Sequence, residues 1–180
     1  MLQKELAGID AEIITNKWDT GLKKARGNYV CLLEKNSAVQ PGTIRSNLDA
    51  FLTRPAYRKL AMVSPRVDLP FVQVPVRWSY SGELCALTTP GSDEIYAAKI
   101  GYAPGAVIRT SSLKKYGKLE NNPYVFSSRL SVFFWENGLR VEFNPETLYY
   151  APENVSYKKY RKKAIPSPAL LTMWHREMIA

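Results

Sequence analysis

The run of residues whose types and spacing most resemble a working surface lies near the end of the chain. Tyr157-Lys158-Lys159-Tyr160-Arg161-Lys162-Lys163 interleaves two phenol rings with basic side chains. Such a run can hold phosphates through its charges and stack its rings on bases. It can equally be a solvated basic tail, and that reading is favoured because no nucleic-acid-binding motif accompanies it. Other chemistries are poorly supplied. A single histidine, His175, sits beside Trp174 with no metal or catalytic pattern around it. Cys31 and Cys85 form neither a disulfide framework nor a metal-type spacing. Cys31 lies in an apolar run and reads as a small core hydrophobe.

The balance of charge points the same way as the basic run. Twenty-five Lys+Arg oppose sixteen Asp+Glu, a net +9, which favours an anionic partner. Residues 153–180 carry +4 of that excess. The 180 residues suggest one domain, 1–152, followed by a Pro-containing basic tail, 153–180. No apolar run approaches the roughly 18 residues of a membrane span. The opening Met-Leu-Gln-Lys-Glu does not read as a secretory signal. The expected location is cytoplasmic, or within a large intracellular or viral assembly.

Periodicity sketches the elements that must carry these residues. Ala11–Thr15 reads as a short strand, with Asn16 as the cap of a helix holding Trp18, Leu22 and Ala25 on one face and ending at Gly27. Residues 28–33 read as a strand buried on both faces. Pro41-Gly42 is a turn, and Ile44, Leu48, Phe51 and Leu52 mark a second helix. Residues 60–63 form the next strand. Residues 68–100 hold edge strands and loops, because Pro70, Pro75 and Pro90 exclude a central strand. Residues 105–109 read as a strand, and Thr110 or Ser111 caps a helix closed by Gly117. Ser127 opens another helix, with Leu130, Phe133 and Phe134 on one face, and Leu139, Val141 and Phe143 alternate as a last strand. Strands alternating with helices predict an α/β layer with a largely parallel sheet.

Three stretches together resemble a known family. Gly21 to Val30 runs into Leu32-Leu33-Glu34-Lys35-Asn36 and then Val39-Gln40-Pro41-Gly42. This resembles the helix, A-x-G-x-Y, strand, L-D-x-D and P-G passage of family 2 glycosyltransferases. Gly105 to Gly117 resembles that family's arginine-containing segment, and Ser127 to Pro145 its late helix and following strand. The resemblance covers residues 12–150. It implies a Rossmann-like, glycosyltransferase-A-type fold with a mostly parallel sheet and flanking helices. It also implies transfer from a nucleotide diphosphate sugar, usually with Mg²⁺ or Mn²⁺ held by the D-x-D carboxylates.

The departures fall where that family keeps its chemistry. The D-x-D slot is Glu34-Lys35-Asn36, with one carboxylate lost and a cation added. The later acidic positions fall on Phe126, Ser127 and Arg129, so no general base stands there. Ser127 reads as a helix N-cap rather than a nucleophile. The family's first β-α-β-α unit is expected to be lacking, since a single βαβ needs at least ~30 residues. The leading expectation is a non-catalytic glycosyltransferase-like domain. It would need no cofactor and would serve as a structural or binding subunit of a protein assembly. Its contacts would come from Lys158, Lys159, Arg161, Lys162, Lys163 and the apolar stretch 169–174. The competing expectation is an active transferase, completed by a partner chain, with Mg²⁺ or Mn²⁺ at Glu34, Lys35 and Asn36. A third, weaker expectation is nucleic-acid binding.

Overall fold

The computed structural model describes residues 6–15, 17–53, 59–68, 76–78, 84–86, 96–97, 101–117, 119–120 and 123–152. The tail 153–180, with Lys158, Lys159, Arg161, Lys162, Lys163 and His175, lies outside the described residues. So do Asn16 and the prolines at 70, 75 and 90. No described helix is long and apolar enough to cross a membrane.

The elements run in order as α1 (Trp18–Lys24), β1 (Tyr29–Cys31), β2 (Ala38–Val39), α2 (Thr43–Thr53) and β3 (Leu60–Asp68). β4 (Val76–Trp78), β5 (Leu84–Ala86), β6 (Tyr96–Ala97) and β7 (Val107–Arg109) follow. α3 (Thr110–Tyr116), α4 (Pro123–Glu136) and β8 (Arg140–Tyr150) complete the domain. The main sheet has the order β1-β7-β3-β8-β2, with β6 also paired to β8. β4 and β5 form a separate antiparallel ribbon.

Helices cover both faces of the sheet, as an α/β layer requires. Alternate residues of the central strands feed opposite cores, because strand side chains point to opposite faces with period two. Met62, Ile108 and Val141 meet Leu22, Leu113, Phe126, Leu130 and Phe134 on the α1, α3 and α4 side. Val63, Val107 and Tyr149 meet Ile44, Ala50 and Phe51 on the α2 side.

The α/β class stands, but strand direction departs from the expectation of a largely parallel sheet. β3 and β8 pair in parallel, while β7 opposes both β1 and β3, and β2 and β6 oppose β8. Periodicity reports which face a strand buries. It does not report whether the connection crosses the sheet or returns along it, and that sets direction.

Five local expectations are also corrected. Ala11–Thr15 forms no strand. Its Glu12 carboxylate instead accepts from Arg26 N at 2.7 Å and pairs with the Arg26 guanidinium at 3.3 Å. That backbone bond, more than the guanidinium, draws the Glu12 carboxyl below its ordinary value. α1 ends at Lys24, and its cap is Ala25 rather than Gly27. β1 is half-buried rather than buried, because it is an edge strand of three residues. α4 begins at Pro123, whose fixed φ suits a first helical turn, so Ser127 lies within the helix and does not cap it. α3 begins at Thr110 after Arg109, with no side-chain cap bond.

Candidate functional site

The chain leaves β1 through Leu32 and Leu33 and turns at residues 34–36. Two bonds anchor this exit. Gly105 N donates to Leu32 O at 2.8 Å, and Trp18 Nε1 donates to Leu33 O at 3.1 Å. Asn36 takes φ +64, a left-handed conformation that asparagine tolerates better than most residues. Ser37 then closes the turn, donating from Oγ to Glu34 O at 2.8 Å. Lys35 and Asn36 are exposed, whereas Glu34 is half-buried.

Two phenols converge on that carboxylate. Tyr149 OH donates to Glu34 Oε2 at 2.9 Å, and Tyr102 OH donates to the same oxygen at 3.3 Å. The two rings stand 5.8 Å apart, tilted by 44°. Burial raises the Glu34 carboxyl above its ordinary 4.5, against the lowering effect of the two tyrosine bonds. The Tyr149 hydroxyl is raised as well, first by burial and then by the charge of Glu34. Both effects favour a protonated Tyr149 as the donor.

Each phenol is fixed by backbone geometry that admits little else. The Tyr149 ring lies on Gly105, which has φ +78 and no room for a Cβ against that ring. Tyr102 is held by serines. Ser64 Oγ accepts from Tyr102 N at 2.9 Å and donates to Tyr102 O at 3.2 Å. On either side, Gly101 N donates to Ser131 Oγ at 3.2 Å, and Ala103 N to Ser127 Oγ at 2.9 Å. A Cβ on Gly101 would approach Met62, Ser64 and Val141 within 2.9 Å. The segment 101–103 is thus stitched to β3 and α4, and Tyr102 projects to Glu34 from that seam.

The sequence-derived positions are therefore only partly united. Ser127 reaches the cluster indirectly, as the acceptor for Ala103 next to Tyr102. Phe126 is fully buried, packing on Trp18 and Tyr116 with centroids 5.8 and 6.1 Å away. Arg129 is exposed and pairs with Glu120. Neither Tyr102 nor Tyr149 was singled out by sequence. For Tyr149 the available signal was weak, a place on the extended run after Phe143.

Among the described residues, no three His, Cys, Asp or Glu side chains gather as a metal site would require. No protein-family model matches the chain. No curated protein matches it in sequence. Solved structures do match in shape. A GalNAc-T7 structure with UDP, GalNAc and Mn²⁺ superposes with a TM-score of 0.55 at 15% identity, covering 74% of this chain and 29% of the other. An S. aureus TarS structure in complex with UDP-GlcNAc gives 0.51 at 15% identity, covering 77% and 38%. The chain spans about a third of the length of these two proteins. The likeness shows a glycosyltransferase-A-like fold.

Proposed function

We propose that this chain is a glycosyltransferase-A-like domain without transfer chemistry, serving as a structural or binding subunit of a larger assembly. The observation that carries the reading is the engagement of Glu34. A divalent cation takes several oxygen ligands, typically including carboxylates free to turn toward it. Here Oε2 of Glu34 accepts hydrogen bonds from two phenols, burial disfavours its charge, and Lys35 adds an opposing cation next to it in sequence. The donor set Glu34, Lys35 and Asn36 does not fit a divalent cation. The carboxylate acts instead as a fastening point between β1, β8 and the 101–103 segment.

The positions of the later acidic pair support the same reading. Phe126 is core, Ser127 bonds to the backbone of Ala103, and Arg129 is cationic and paired with Glu120. None of these can take a proton from an acceptor hydroxyl at neutral pH. The partner is a protein assembly, contacted in part through the basic tail and the apolar stretch 169–174.

Calorimetric titration of the full chain with UDP, GDP and UDP-GlcNAc, each with Mn²⁺, tests this function. The expected result is no saturable heat. Metal-dependent binding that Glu34→Ala removes would replace this reading with an active transferase. A second arm deletes 153–180 and asks whether association with copurifying protein is lost. Retained association would move the contact surface off the tail.

A further inference from the structure

A second feature stands apart from the Glu34 cluster, where the ends of α1 and α3 meet. Lys114 Nζ donates to Ala25 O at 2.8 Å, at the cap of α1. Leu119 N donates to Asp19 Oδ1 at 3.2 Å, tying the chain beyond α3 to the first turn of α1. An open groove of about 540 Å³ runs here, lined by Asp19, Leu22, Lys23, Lys114 and Gly117.

The last turns of both helices are basic and exposed, with Lys23 and Lys24 on α1 and Lys114 and Lys115 on α3. Lysine in a last turn complements the helix dipole, which accounts for each pair on its own helix. It does not account for Lys23 of one helix and Lys114 of the other, so far apart in sequence, lining one groove. Among the described residues, none of these lysines forms an ion pair. Lys114 and Lys115 donate to uncharged oxygens, Ala25 O and Asn137 Oδ1. Lys23 and Lys24 make no ion pair among the described residues.

The groove offers both kinds of hydrogen-bonding group. Lysine ammoniums only donate, the Asp19 carboxylate only accepts, and helix C-termini carry partial negative charge. A nucleic-acid backbone brings acceptors alone and would meet Asp19 and two negative helix ends. An acidic peptide brings carboxylates for the lysines, backbone N–H groups for Asp19, and aliphatic carbon for Leu22. We propose that the α1/α3 groove docks an extended acidic segment of a partner protein. The proposal deepens the binding-subunit reading and rests on it.

Fluorescence anisotropy of the full chain with a fluorescein-labelled peptide of alternating glutamate and alanine tests the groove, beside single-stranded and double-stranded DNA. Saturable peptide binding is expected, weaker as salt rises. Lys23→Glu/Lys24→Glu should raise the peptide Kd at least about tenfold. Arg66→Glu, at an exposed position of β3, should change it far less. Circular dichroism melts confirm folding of each variant, and Lys114→Glu alone, at the groove's other lysine, should still weaken binding several-fold. Absence of peptide binding overturns the proposal, as does DNA binding that exceeds it and falls with the lysine reversals. Peptide binding weakened equally by Arg66→Glu and the lysine reversals also overturns the groove, while leaving the binding-subunit reading in place. Nucleotide-sugar binding in the calorimetric titration is the outcome that removes that reading instead.

Discussion

Tyr149 donates its hydroxyl to Glu34 Oε2 at 2.9 Å, joining the end of β8 to the turn after β1 across 115 positions. The same tyrosine ring rests on Gly105, whose amide donates to Leu32 O at 2.8 Å just before that turn. Three distant segments are thus closed around one carboxylate. Under the proposed function this carboxylate, at the position where the resemblance implies a metal ligand, serves the scaffold through its two tyrosine bonds.

Gly105→Ala should be the most damaging small substitution in this region. Alanine is strained at φ +78, and its Cβ would drive into the Tyr149 ring. The expected loss is about 3 kcal/mol. A urea titration should show a lower midpoint with an unchanged slope.

Glu34 should make stability fall as pH rises. Its carboxyl is raised in the folded chain above the ordinary 4.5, so between 4.5 and that higher value the folded state binds more protons than the unfolded one. Stability is therefore fully present below 4.5 and declines through this window. Glu34→Gln should flatten that part of the profile in thermal melts taken across acidic pH. A variant with the same decline as the parent would exclude Glu34 as its source.

Ser127→Ala tests whether this serine serves tertiary structure or helix initiation. Its Oγ accepts from the buried Ala103 N at 2.9 Å, so the substitution leaves that amide unpaired. The expected cost is about 1–3 kcal/mol. Hydrogen exchange should accelerate at Gly101–Ala103 before it does in the first turn of α4. The opposite order would favour a role in the helix.

Asn47→Ala should cost about 2 kcal/mol, through contacts separate from the Glu34 cluster. Asn47 Oδ1 accepts from Asn144 Nδ2 at 2.9 Å and Thr147 Oγ1 at 3.2 Å, holding α2 against β8. These contacts sit where the β3·β8 register shifts between Pro65 and Arg66. Its own Nδ2 is buried with no hydrogen-bond partner among the described residues, so its removal offsets part of the loss. Chemical denaturation of Asn47→Ala and Asn144→Ala, singly and together, should show strong non-additivity.

Much of the helical framework was legible because amphipathic spacing is a local property. The 3.6-residue pattern of Ile44, Leu48 and Phe51 marks α2, and Leu130 and Phe134 mark the core face of α4. The start of α4 was misplaced because Ser127 resembles a cap in sequence. Only the packed 101–103 segment reveals that its hydroxyl has a distant partner. The strand expected at Ala11–Thr15 failed because an apolar run creates no ladder unless a neighbouring strand is present to pair with it.

The sequence by itself determined the α/β class, and its resemblance to family 2 glycosyltransferases implied a glycosyltransferase-A-type fold and put Asn36, Phe126, Ser127 and Arg129 where that family is expected to carry carboxylates. Periodicity along one stretch of chain suffices for the class, and short motifs carry the resemblance. Tertiary structure alone decided strand direction, the enclosure of Glu34 by Tyr102 and Tyr149, and the meeting of the basic turns of α1 and α3. Each of these depends on groups far apart in sequence. The energy of a buried hydrogen bond or a charged groove arises only when folding brings such groups within a few ångströms.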